Sequence, residues 1–193
     1  DPADRRHRYP FVNCTQCGPR YSVILGLPYD RARTTLAGFA LCARCRAEYE
    51  DPLDRRFHAE PTACPECGPR LQLGDAGGAP LALRDQALRE GARALREGRV
   101  VALLGLGGFQ LLVDARDQAA VQRLRERKQR EAKPLALMAA HLAQARELCQ
   151  VEAAEERLLE SSEAPIVILR RRADGGRLEV AEAVAPGHPH LGV

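Results

Sequence analysis

The sequence predicts a small cysteine-knuckle module over residues 1–73 followed by an α/β layer domain over residues 81–193. Three observations predict it. Three Cys-x-x-Cys pairs, Cys14/Cys17, Cys42/Cys45 and Cys64/Cys67, are confined to the first part of the chain. The segment that begins at Asp1 returns, without a gap, at Asp51. From residue 81 onward, helical and strand-like hydrophobic patterns alternate, as they do where helices layer on a sheet.

The repeat is read directly. Asp1-Pro2, Asp4-Arg5-Arg6, Cys14, Cys17 and Gly18-Pro19-Arg20 match Asp51-Pro52, Asp54-Arg55-Arg56, Cys64, Cys67 and Gly68-Pro69-Arg70 at a constant offset of 50. The second copy is preceded by Cys42/Cys45, which gives Cys-x2-Cys-x18-Cys-x2-Cys, the spacing of a four-thiolate zinc module. The segment 42–67 has few apolar residues, so metal binding is expected to supply its folding free energy, on the order of 10 kcal/mol. Three pairs leave one over. The repeat register makes that pair Cys14/Cys17, whose own opening pair is expected to lie before residue 1. The alternatives are that Cys14 and Cys17 are metal-free, that they borrow His7 or another chain's ligands, or that they nest with Cys42/Cys45. Gly18 and Gly68 are expected to ease close approach and positive φ after each pair. Arg5-Arg6-His7-Arg8 and Arg55-Arg56 read as phosphate patches or, preferred here, as local ion pairs with Asp1, Asp4, Asp51 and Asp54. His58 reads as a packing or solvated residue.

The longest apolar runs, such as Val100-Val101-Ala102-Leu103-Leu104, are far too short to span a bilayer, and the first residues lack the apolar core of a signal peptide. A reducing cytoplasm is the expected location, where such cysteine pairs read as metal sites rather than disulfides. A net charge of +3 does not demand nucleic acid. The absence of an initial Met fits an excised segment.

Gly74 to Pro80 reads as a flexible connector. Residues 81–96 have helical spacing, with Gly98 as a stop. Strands are expected at 99–104 and 109–113, around a turn at Leu106-Gly107-Gly108. A charged amphipathic helix is expected at 117–130, a strand at 134–139, helices at 141–149 and 152–160, and a strand at 165–169. Cys149 reads as buried filler. Two features bear chemistry. Gly105-x-Gly107-Gly108 is a hairpin turn or a phosphate-approaching one. The run Arg127-Lys128-Gln129-Arg130-Glu131-Ala132-Lys133 places Lys128, Arg130 and Lys133 either around a polyanion or on a solvated helix end.

Taken together these residues resemble the HypF carbamoyltransferase family, which matures nickel–iron hydrogenases. The matching elements are the Asp-Pro-x-Asp-Arg-Arg segments, Asn13-Cys14-x-x-Cys17-Gly18-Pro19-Arg20, Pro28-Tyr29-Asp30-Arg31, Thr34-Thr35 and Arg55-Arg56-Phe57-His58-Ala59-Glu60-Pro61. Further on they are Gly105-Leu106-Gly107-Gly108-Phe109, Asp114-Ala115, Leu124-Arg125-x-Arg127-Lys128-x-Arg130 and Lys133-Pro134. The resemblance implies a zinc-finger region and a partial YrdC-like domain, a twisted open sheet with helices. It implies structural Zn2+, ATP and carbamoyl phosphate as substrates, Mg2+ as a companion ion, and HypE as the protein partner. The carbamoyl group passes through a carbamoyl-adenylate to the C-terminal Cys of HypE, for the cyanide ligands of the hydrogenase iron. Lys128 and Arg130 fall on the family's Lys-x-Arg motif and are assigned to nucleotide phosphates, with Lys133, Gly107 and Gly108 beside them.

The chain departs from the family pattern. It lacks the acylphosphatase-like N-terminal domain, the first finger's opening pair and the C-terminal transferase domain, and it has Leu104 and Gln110 where Lys and His are usual. The isolated segment is therefore expected to be inactive. Two other classes compete. A zinc-finger module binding RNA or protein is opposed by the 4% aromatic content, which leaves few platforms for base stacking. A thiol–disulfide chaperone would keep its fold when metal is chelated.

Overall fold

The computed structural model describes residues 1–105, 108–172 and 178–193. The chain divides into two compact units, one of Asp1–Ala92 with Leu104–Phe109 and one of Arg93–Leu103 with Gln110–Val193.

The first unit is mostly turns. Its one complete helix is α1 (Ala43–Glu50), in which only Cys45 is buried. A helix of two turns with so small an apolar face is not stable by itself, so its anchorage is the pair Cys42/Cys45 at its N-terminal end. Two 3-10 turns, Arg31–Arg33 and Thr35–Gly38, are capped by Asp30, which accepts from the Ala32 N–H at 2.7 Å, and by buried Thr34, which accepts from Leu36 N–H at 3.2 Å.

The expected flexible connector is an antiparallel hairpin. Strands β1 (Gln72–Gly74) and β2 (Pro80–Leu83) pair with Gln72 opposite Leu83 and Leu73 opposite Ala82. The turn closes because Asp75 Oδ1 accepts the N–H groups of Gly77 and Ala79 at 2.8 and 2.9 Å, and Gly78 takes a φ of +85°. The helix expected from residue 81 accordingly begins later, as α2 (Arg84–Arg96), and Gly98 stops it at a φ of +71°.

Strands β3 (Val101–Gly105) and β4 (Gly108–Leu112) form a two-stranded sheet. Leu103, Leu104, Phe109 and Leu111 stay exposed on it, so the apolar run read as a strand is not covered among the described residues. In the second unit, α3 (Gln118–Arg127) is capped by Asp117, whose carboxylate accepts from the Ala120 N–H at 3.0 Å. Helix α4 (Leu142–Leu148) is capped by His141 Nδ1, which accepts from Gln144 N–H, and α5 (Ala153–Leu159) by Glu155, which accepts from the Glu152 N–H. Strands β5 (Cys149–Gln150), β6 (Ile168–Arg171) and β7 (His190–Gly192) form an antiparallel sheet in that order.

The strand expected at 134–139 is an extended segment with one parallel bridge, Ala136 to Gly192. Leu135 donates to Val184 and Leu137 to Gly192. Serving two different segments in turn, this stretch cannot build a continuous ladder. The core of the unit gathers Val121, Cys149, Val167, Leu169, Val184 and Leu191. Cys149 is one of its packing residues, and burial pushes its thiol up to about 11. No described helix is long and apolar enough to cross a membrane.

Candidate functional sites: a four-cysteine centre and a basic loop

The repeat in sequence is a repeat in conformation. Asp4, His7, Tyr9, Val12 and Gly18 donate backbone N–H groups to Asp1, Asp4, Arg6, Tyr9 and Cys14, and Asp54, Phe57, Ala59, Thr62 and Gly68 do the same to Asp51, Asp54, Arg56, Ala59 and Cys64. Arg8 and His58, fifty residues apart, share a left-handed φ of 59° and 47°. The four aspartates expected to pair with arginines instead fold the turns: Asp1, Asp4, Asp51 and Asp54 accept the backbone N–H two residues ahead, at 2.7–2.9 Å.

Each copy ends in a cysteine knuckle. Cys14 accepts from the N–H groups of Gln16 and Cys17, and Cys64 from those of Glu66 and Cys67. The chain then doubles back so tightly that a Cβ on Gly18 would collide with the Cys14 carbonyl, and one on Gly68 with the Tyr9 hydroxyl and, at 2.6 Å, Ala63 Cβ. Close approach, not positive φ, is what these glycines supply.

The second knuckle faces the first turn of α1. The Sγ atoms of Cys42, Cys45, Cys64 and Cys67 all lie within 4.8 Å of one another, with Cys42–Cys64 at 3.8 Å and Cys64–Cys67 at 3.7 Å. Four thiolates at about 2.3 Å from a tetrahedral metal stand about 3.8 Å apart, so these residues fit a closed structural zinc site. Burial pushes the Cys45 thiol up to about 12. Burial acts the same way on Cys64, but the backbone N–H groups of Cys67 and Glu66, together with the Cys67 and Cys45 thiols, outweigh it and bring that thiol down to about 7. Among the described residues this is the cluster with metal-holding geometry, and Cys14 and Cys17 lie outside it, exposed. His58 packs its ring on Tyr49 and Phe57.

Sequence reasoning missed what touches this centre. Arg5 and Arg6, from the first copy, each place Nη2 3.2 Å from Cys45 Sγ, and both pair with Glu48 on α1, at 2.7 and 2.5 Å. Arg6 is buried and also donates Nε to the Ala63 carbonyl at 2.7 Å. Burial alone would raise the Glu48 carboxyl, but the two guanidinium groups hold it down at about 2. The sequence signal was the Arg-Arg dipeptide in both copies; what it lacked was the distance partner, some forty residues away. Arg31 makes a comparable clasp, donating to the carbonyls of Glu60, Thr62 and Phe39.

The basic run forms the end of α3 and the loop after it. Lys128 caps the helix, with its N–H on the Leu124 carbonyl, and Gln129 turns the chain at a φ of 49°. Lys128 and Lys133 are exposed and Arg130 is half-buried. Arg130 turns its guanidinium on its own loop, donating to the carbonyls of Lys133 at 3.0 Å and Pro134 at 2.5 Å. Arg125, fully inside, braces the loop from below: it donates to the carbonyls of Ala183, Val184, Arg130 and Glu131. Gly108 opens β4 at a φ of +117°; Gly107 lies outside the described residues.

Against known proteins, a family model described as "HypF finger" matches residues 1–24 and 41–73. The Sua5/YciO/YrdC family model, described as "Telomere recombination", matches residues 93–193. The carbamoyltransferase HypF of Rhodobacter capsulatus is 52% identical over 98% of this chain and 24% of its own length. That of Synechocystis is 49% identical over 100% of the chain and 25% of its own length. A crystal structure of full-length HypF in the phosphate- and nucleotide-bound form superposes on the whole chain with a TM-score of 0.87 at 44% identity, using 24% of that protein. The crystal structure of T. kodakarensis HypF does so at 0.90 and 41%, using 25%. The chain thus spans about a quarter of the length of the relatives it matches.

Proposed function

This chain belongs to the HypF carbamoyltransferase family, and on that premise we propose that it is the metal-braced central segment of an enzyme that makes carbamoyl-adenylate from carbamoyl phosphate and ATP, with Mg2+, and passes the carbamoyl group to the C-terminal Cys of HypE. The observation that carries this reading is the likeness along the whole chain to a HypF whose crystal form holds phosphate and nucleotide. In this reading the four thiolates Cys42, Cys45, Cys64 and Cys67 hold structural Zn2+ and take no part in transfer. Bound zinc supplies cross-linking of a segment too poor in apolar residues to fold on a core.

In this reading nucleotide binding falls to the loop after α3. The ammonium groups of Lys128 and Lys133 are exposed and free to move toward a polyphosphate, where positive charge offsets what builds up on a pyrophosphate leaving group. Because the Arg130 guanidinium is engaged with the carbonyls of Lys133 and Pro134, its part in this reading is to shape the loop while the two lysines meet the phosphates. Arg125 holds the same loop from inside.

The test is titration calorimetry of ATP into the full-length parent protein. Lys128→Ala is expected to weaken binding about tenfold or more, and the double variant with Lys133→Ala further, with zinc content unchanged. An affinity within twofold of wild type in both variants refutes the assignment.

A further inference from the structure

We infer that Arg5 and Arg6 are positioning residues for the metal centre of the neighbouring repeat, a brace through which metal occupancy at Cys42, Cys45, Cys64 and Cys67 and the folding of residues 1–12 are linked. The inference rests on the zinc reading above. Four thiolates on a divalent ion leave a net charge of −2, and a partly buried site carries that charge at a cost unless cations compensate it. Here two guanidinium groups converge on one sulfur, Cys45 Sγ, at 3.2 Å each. Cys45 is fully buried, so water cannot take over the role.

Both arginines are oriented by Glu48, one turn along α1 from Cys45, and Arg6 is fixed by the Ala63 carbonyl, next to Cys64. The Arg5-Arg6 dipeptide therefore touches both halves of the site, the helix that carries Cys42/Cys45 and the strand-like approach to Cys64/Cys67. Hydrogen bonds of this kind around a metal fix the orientation of its ligands, and losing them lowers metal affinity by about 10–100-fold. Linkage works in the other direction too. Residues 1–12 contribute only Tyr9 as a buried apolar side chain and Arg6 as a buried polar one. Beyond Arg5 and Arg6, these turns are tied to the rest of the unit by the Tyr9 hydroxyl on the Pro69 carbonyl and by the exposed Arg8–Asp85 pair, so an open centre removes their buried charged anchors. The equivalent dipeptide Arg55-Arg56 is not so placed: Arg55 is exposed, and Arg56 Nε reaches Glu48 only at 4.0 Å.

The experiment uses the full-length protein, loaded with zinc and first assayed for metal content. Zinc release to a chromogenic chelator is followed for wild type, Arg5→Gln, Arg6→Lys and Arg8→Gln. Arg5 is the less buried of the two, its side chain 15% exposed against 4% for Arg6, and Arg5→Gln removes its charge; Arg6→Lys keeps the charge and removes the fork. Arg8 pairs with Asp85, away from the cysteines, and serves as the control. Release is expected to accelerate about tenfold or more in the first two variants and to stay within twofold in the third. In parallel, hydrogen exchange at the amides of His7 and Tyr9 is expected to speed up at least tenfold when wild type is stripped of zinc, while β6 and β7 keep their protection. No zinc in wild type sinks the metal reading itself. Zinc present but released at wild-type rates from Arg5→Gln and Arg6→Lys, or unchanged exchange at His7 and Tyr9 after stripping, overturns the brace.

Discussion

Replacing Arg125 by Met tests how the second unit holds its basic loop. Methionine keeps most of the stem's volume, so the loss isolates the guanidinium. Four carbonyls lose a donor: Ala183, Val184, Arg130 and Glu131. The last two sit on a loop open to water and rehydrate. Ala183 and Val184 are buried, but the Val184 carbonyl keeps the backbone N–H of Leu135, so Ala183 alone is left as an orphaned buried acceptor, at a cost of roughly 1–3 kcal/mol. Relief from burying the charge returns part of this and lost anchoring of the loop adds to it, so the net expectation is a destabilisation of about 2 kcal/mol. With a urea slope of about 2 kcal/mol per molar, the unfolding midpoint falls by roughly 1 M. The chain has no Trp, so far-UV circular dichroism is the probe. The same variant is expected to lose ATP affinity in the parent protein, because the loop that presents Lys128 is no longer held. A loss below about 1 kcal/mol would mean that the four hydrogen bonds are dispensable and that the loop is held by something else.

Thiol accessibility should report the ligand set in three steps: Cys14 and Cys17 react fast in the metal-loaded chain, the four site cysteines only after chelation, and Cys149 only on unfolding. Fast reaction at Cys42 or Cys67 with metal bound would contradict a closed site. Gly68→Ala drives a methyl group into the Tyr9 hydroxyl and Ala63 Cβ, and is expected to weaken the finger by about 1–3 kcal/mol, read as a lower chelator concentration at half release; wild-type retention would show that the turn has room. For Cys149, the folded thiol titrates near 11 instead of 9.0. Its contribution is therefore complete below about pH 9 and is lost as pH rises through 11. The urea midpoint of wild type should fall more steeply over that window than that of Cys149→Ala, and parallel curves would refute the burial argument.

What the sequence made legible was local. The offset of 50 was enough to pair Cys42/Cys45 with Cys64/Cys67, because knuckle turns are built from residues within four positions of one another. Helices α3, α4 and α5 were placed to within a few residues by their caps and spacing. The hairpin β1–β2 was missed because its strands are short and its turn, Asp75 to Ala79, has the composition of a linker; the side-chain bonds of Asp75 decide the outcome. Strands β5 and β7 were missed because two or three residues carry no periodicity, and their pairing partner is distant in sequence. The role of Arg5 and Arg6 was misread for the same reason. The nearest acids in sequence were assumed to be their partners, while backbone N–H groups had already claimed those carboxylates.

These contacts share a logic that bears on the functional reading. Both units are rich in irregular backbone, and irregular backbone leaves carbonyls without partners. Arginine answers that need, since its rigid fork can donate to two or three acceptors at once. Arg6 and Arg31 do this in the first unit, Arg125 and Arg130 in the second. Lysine, with its single mobile point charge, is poor at such bridging, and the chain uses only two, Lys128 and Lys133. Both lie on one loop, both are exposed, and the loop is held by two arginines that bind its carbonyls. A residue type withheld from structural work and placed only there is what a site for a mobile polyanion requires. Exchanging the types tests this directly. Lys128→Arg keeps the charge but is expected to lower turnover in the parent protein more than it lowers ATP affinity, because a fork bound to ground-state phosphate follows the leaving group less well. Equal turnover in Lys128→Arg and wild type would show that charge alone is enough at this position.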